Sequence, residues 1–116
     1  MPSAPPAVQL LAVFTTVPDA ASAGALAQAA IAQGLAACVQ QDSIHSTYQW
    51  QGWMQSEPEV RLLFKTTTAA WPALQALIAR LHPYEVPAIY ALPVPHASAS
   101  YARWVAEQVA VNNDKP

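Results

Sequence analysis

The segment Arg80-Leu81-His82-Pro83-Tyr84-Glu85-Val86-Pro87 places an imidazole, a phenol and a carboxylate almost side by side. Each can hold a proton, ligate a cation or orient a polar ligand. Proline fixes its own φ and pushes the preceding residue out of the helical region. Pro83 therefore ends the helical pattern before it near Leu81 or His82, and Pro87 keeps Val86 extended. The three polar side chains ride on a stiff connector.

A second kind of chemistry enters with Cys38. With His82, His45, His96 and Glu85 it forms a pool of soft and borderline donors that suits copper or zinc better than calcium or magnesium. No two of these residues have ligand spacing in sequence, so a metal site has to be assembled in three dimensions or across subunits. Each also has a plainer reading. Cys38, after Leu35-Ala36-Ala37, packs as a small hydrophobe; His82 donates to a carbonyl or balances a helix dipole; His45 and His96 are surface residues. Tyr48, Trp50 and Trp53 flank a hairpin tip, where they pack an interface or wall a small-ligand pocket. Lys65 is either a solvated strand residue or the cation that offsets Glu85.

Catalysis finds less support. The glycines lie far apart, and no HxxxH, CxxC or GxSxG arrangement is present. Cys38 with His82 is the one nucleophile and base pair to consider, and nothing local activates it. A binding protein is expected, not an enzyme.

Composition narrows the classes further. A chain of 116 residues, 53% of them hydrophobic and 10% charged, fits one domain that buries its own core. So few charges, together with four tryptophans, point to self-association. A net charge of −2 with five scattered Lys and Arg residues excludes a nucleic-acid partner. One cysteine precludes an internal disulfide, and the start of the chain lacks a basic, apolar signal pattern, so a cytoplasmic location is expected. The apolar run Leu10 to Phe14 is too short to span a membrane.

These residues are positioned by a regular alternation of elements. Val8 to Thr15 reads as a buried strand. Asp19 caps a helix carrying Ala23, Leu26, Ala27, Ala30 and Ile31 on one face, and Gly34 stops it. Ile44, Ser46, Tyr48 and Trp50 alternate into Gln51-Gly52, then Val60, Leu62 and Phe64 alternate out, predicting a long antiparallel hairpin. With arms of ten or more residues it reaches beyond a domain of this size and needs a partner chain. Thr66 to Thr68 offer cap hydroxyls for a second helix with the stripe Leu74, Leu77, Ile78 and Leu81. Ala88 to Val94 reads as an edge strand, and Ser98 caps a last helix with Tyr101, Trp104, Val105 and Gln108 on one face. The order βαββαβ plus a helix predicts an α+β, ferredoxin-like domain over residues 8–111, with a disordered tail at 1–7 and a frayed one at 112–116.

Leu35-Ala36-Ala37-Cys38, Tyr48-Gln49-Trp50-Gln51-Gly52, Phe64-Lys65-Thr66, His82-Pro83-Tyr84-Glu85-Val86-Pro87 and Ala91-Leu92-Pro93-Val94, followed by Tyr101 and Trp104, together resemble the CutA divalent-cation tolerance family. The resemblance runs from Val8 to Val109. It implies a ferredoxin-like subunit in a tight homotrimer whose long hairpins wrap their neighbours, similar to the P-II signalling proteins. It also implies tolerance of copper and other divalent metals, with Cys38 and His82 as metal ligands and Glu85 beside them. A second expectation of the same architecture is a signalling or scaffold trimer whose clefts between subunits take a small organic ligand or a partner peptide, lined by Tyr48, Trp50, Lys65 and Tyr84. Two departures stand out. Thr15 occupies a position where some relatives carry a cysteine, and Gln40-Gln41-Asp42-Ser43 replaces a Pro-Gly bend.

Overall fold

A computed structural model of the protein describes residues 8–113. Its elements run β1 (Leu10–Val17), α1 (Ala20–Ala32), β2 (Cys38–Trp50), β3 (Trp53–Thr67), a single 3-10 turn (Thr68–Ala70), α2 (Trp71–Leu81), β4 (Ile89–Val94) and α3 (Ala99–Asn113). The four strands form one antiparallel sheet in the order β2-β3-β1-β4, which is the ferredoxin-like plan. The expected tails at 1–7 and 114–116 lie outside the described residues, while Asn112 and Asn113 continue α3.

Helix ends follow the local chemistry closely. Asp19 Oδ1 accepts the Ser22 N–H at 2.8 Å, satisfying a free donor of the first turn, and that bond holds the carboxyl below its usual range. At the other end Gly34 takes φ 68°, and the N–H groups of Leu35 and Gly34 return to the carbonyls of Ala30 and Ile31 at 2.9 and 3.0 Å. This paired closure is the Schellman arrangement, for which glycine is suited because it has no Cβ.

The start of α2 differs from the expectation. No threonine caps it, and Ala70 is its N-cap. Thr66 instead donates its hydroxyl to the Leu35 carbonyl at 2.7 Å inside the core, and Thr68 donates to the Gln9 carbonyl at 3.3 Å. The 3-10 turn and Pro72 at the second helical position start the helix without a side-chain cap.

Side chains opposite one another in the ladder share a face. Val13 with Phe64 and Thr15 with Leu62 face α1 and α2, where Leu26, Leu74, Leu77 and Ile78 complete a fully buried core. The other face carries Ala12, Phe14 and Thr16 of β1 with Tyr90 and Leu92 of β4. Here α3 covers one end only, laying Val105 and Tyr101 beside Leu10 and Lys65. Val105 and Val109 are buried, whereas Trp104, expected on the packed face, is half exposed and stacks on Tyr101 at 6.0 Å. Tyr90 and Leu92 are about half exposed.

The hairpin is long, as its alternation predicts. Its ladder is continuous from Cys38↔Lys65 to Trp50↔Trp53, so the absence of a Pro-Gly bend leaves β2 unbroken. Gln51 and Gly52 both have positive φ, 52° and 85°, the backbone of a two-residue I′ turn. Because β1 ends at the pair Val17↔Val60, everything from Ile44↔Glu59 outward is a two-stranded ribbon, roughly 23 Å long at 3.3 Å per residue. The molecule measures 60 × 30 × 21 Å and its radius of gyration is 15.9 Å, against about 13 Å for a compact domain of this length.

Candidate functional site

The connector from His82 to Ala88 passes the end of β1 and meets the base of the ribbon. His82 is the C-cap of α2, with extended backbone, as the following proline requires. Its Nε2 lies 2.9 Å from the Thr16 carbonyl and 3.0 Å from Thr15 Oγ1. Its Nδ1 accepts the Tyr84 N–H at 3.1 Å. A carbonyl can only accept and an amide N–H can only donate, so the proton resides on Nε2 and Nδ1 is bare. Burial lowers the His82 pKa, against the opposing pull of the Thr16 carbonyl and the Glu59 charge. The ring is neutral and both nitrogens are committed to the backbone.

Tyr84 then reaches back across the sheet. Its hydroxyl donates to Glu59 Oε2 at 2.7 Å, and its ring centre lies 5.1 Å from that of His82. Burial, followed by the bond to Glu59, keeps the phenol protonated well above its ordinary range. Farther along the ribbon the Tyr48 hydroxyl donates to Glu57, and that bond raises its pKa. Two tyrosine–glutamate pairs thus tie the connector and β2 to β3.

These residues enclose a half-open pocket of about 550 Å³. Ser46, Tyr48 and Trp50 of β2, Thr16 of β1 and Glu59 of β3 line it, and the connector closes it with Pro83, Tyr84, Glu85, Val86 and Ala88. The ladder explains the convergence: the alternating residues Ser46, Tyr48 and Trp50 lie on the face that α1 and α2 leave open.

Of the residues singled out in the sequence, Tyr48, Trp50, Tyr84 and Glu85 come together in this pocket. Lys65 does not: its Nζ sits 5.7 Å over the Tyr101 ring, beneath α3. Cys38 is half-buried at the start of β2, paired through Lys65 with Ala12, while His82 meets β1 at Thr15 and Thr16. Three to four residues along the strand and two strands across put Cys38 and His82 on the order of 14 Å apart. His45 is exposed on the ribbon and shares a 2.9 Å hydrogen bond with Ser56, and His96 is exposed before α3. Among the described residues of one chain no three His, Cys, Asp or Glu side chains are close enough to hold a metal ion. Cys38, His82 and Glu85 therefore do not form a metal centre within a single protomer.

Glu59, Thr16 and Ser46 escaped the sequence reading. Glu59 lay among the outward residues of a strand, and the one signal for it is a carboxylate directly after Pro58, where a β-strand loses a neighbour.

The CutA1 divalent ion tolerance protein family matches residues 11–108. The divalent-cation tolerance protein CutA of Thermus thermophilus is 42% identical over 96 residues, covering 82% of this chain and 93% of that protein. The human protein CutA is 38% identical over 95 residues, 81% of this chain, which spans only 53% of its length. The solved structure of CutA from Synechococcus elongatus superposes with a TM-score of 0.85 at 38% identity, over 88% of this chain and 91% of that one. On fold, length of match and identity together, the chain belongs to the CutA1 divalent ion tolerance family.

Proposed function

We propose that the protein serves divalent-cation tolerance as a cytoplasmic, non-enzymatic homotrimer of P-II-like architecture, with copper bound weakly through Cys38 and donors contributed by another subunit. Membership of the family supports the tolerance role. The trimer is supported by the open sheet face with Tyr90 and Leu92 and by a ribbon too long to be stable alone. Assembly across subunits is supported by the donor shortage among the described residues of one chain: a lone thiol suits a soft ion but does not complete its shell. His82 has no free lone pair, and Thr15 presents a hydroxyl to it, a poor partner for copper. A reducing cytoplasm suits the free thiol. Among the described residues no helix is long and apolar enough to cross a membrane.

Isothermal titration of the reduced protein with copper tests this reading. Cys38→Ser is expected to remove binding, and His82→Ala to change it less than threefold. Undiminished binding by Cys38→Ser overturns the assignment.

A second reading is favoured by the pocket beside the connector. Its size, aromatic walls and few fixed polar groups are those of a small-ligand site, which fits a trimer that reads a metabolite.

A further inference from the structure

The pocket has an unbalanced charge. Glu59 is only 8% exposed, and among the described residues of one protomer the Tyr84 hydroxyl is the one side-chain donor to it. A buried carboxylate ordinarily pairs with a cation or collects several donors, because removing it from water costs several kcal/mol otherwise. Among the described residues, the basic side chains of β3 and the connector are engaged elsewhere. Arg61, on the same face of β3, is held by both oxygens of Asp42 at 2.9 and 3.2 Å. Lys65 lies over Tyr101. His82, next to Tyr84, is the neutral tautomer, with its proton turned toward Thr16.

The lining carries the same sign throughout. It includes Glu59 and Glu85 and no Lys, Arg or His, and Glu57 stands at the rim on Tyr48. Trp50, Tyr48 and Tyr84 add three aromatic rings, whose π-systems attract cations by about 0.5–2 kcal/mol each where suitably oriented. A bare metal ion suits this space poorly. About 550 Å³ bounded by aromatic rings, Pro83, Val86 and Ala88 is far larger than one ion, and no three-ligand cluster is present among the described residues.

We propose that the pocket binds an organic cation, an ammonium or guanidinium group pairing with Glu59 while its apolar body packs against Trp50, Tyr48 and Tyr84. This inference rests on the small-ligand reading above and names the chemical class that reading leaves open. The Tyr84–Glu59 bond orients one carboxylate oxygen, leaving the other to accept from the ligand. Displacement of the cation would return Glu59 to an unpaired state, so occupancy should also stabilise the connector.

The test is calorimetric titration of the intact, metal-chelated protein with benzylammonium, benzyl alcohol and benzoate, three probes of near-equal shape and different charge. Benzylammonium is expected to bind at least about tenfold more tightly than either, equivalent to about 1.4 kcal/mol. Glu59→Gln, which keeps the shape and the bond to Tyr84, should erase that preference, and Trp50→Leu, at an exposed position, should weaken benzylammonium severalfold. Equal binding of all three probes would overturn the cation assignment while leaving a ligand pocket in place. No binding of any probe would overturn the pocket reading itself, and a preference that survives Glu59→Gln would remove Glu59 from the site.

Discussion

The two faces of the sheet are built from the same four strands and meet opposite fates. One face is sealed by α1 and α2, and Val13, Phe64 and Leu62 are fully buried within a single protomer. The other is covered by α3 at one end and leaves Tyr90, Leu92 and the pocket beside Trp50 open. Burial on the first face is complete without help, so its residues answer to folding. Residues of the second are left partly in water within one protomer, so on the proposed reading they answer to what covers them, other subunits and a ligand.

That contrast predicts unequal responses to truncation. Phe64→Ala leaves a cavity on the sealed face and is expected to cost about 3–5 kcal/mol in a denaturant titration. Leu92→Ala removes a comparable side chain from the open face and should cost far less in the fold itself, while weakening association measured by sedimentation. A large loss of stability from Leu92→Ala in a dissociated protomer would erase the distinction between the faces.

A smaller effect is expected where the faces meet, at His82. Burial depresses its pKa below the ordinary 6.5, so below that pH the unfolded chain takes up a proton that the native ring resists. Stability should be unaffected by this group above about pH 7 and should decline as pH falls through 6.5 toward the lower native value. Thermal melts of the wild type and His82→Asn across pH 5 to 8 measure it. The variant, lacking the imidazole, should show a flatter profile, and parallel profiles would mean that His82 is solvated.

The sealed face was the more legible in the sequence, because burial there leaves a periodic mark. Val13 in β1, Leu62 and Phe64 in β3, the cap at Asp19 and the stop at Gly34 are all signals carried within a few residues, whereas β1 runs on past the expected end at Thr15 to Val17. Gln51-Gly52 likewise announced the turn. The hydroxyls of Thr66 and Thr68 were misplaced because their acceptors, Leu35 and Gln9, are remote in sequence and compete with the local cap. The pocket was half legible for the same reason. The connector and the alternation of Tyr48 and Trp50 were visible, whereas the pairing of Tyr84 with Glu59 joins residues that only the fold makes neighbours. Lys65 and Cys38 were grouped with these by their chemistry alone. The register places both near α3, away from the connector.

The proposal that other copies of the chain cover the open face is tested most directly by sedimentation equilibrium of the reduced protein at micromolar concentration. A single species of three times the 12.4 kDa protomer mass is expected. A stable, folded protomer at that dilution, with its ribbon and indole rings in water, would contradict it.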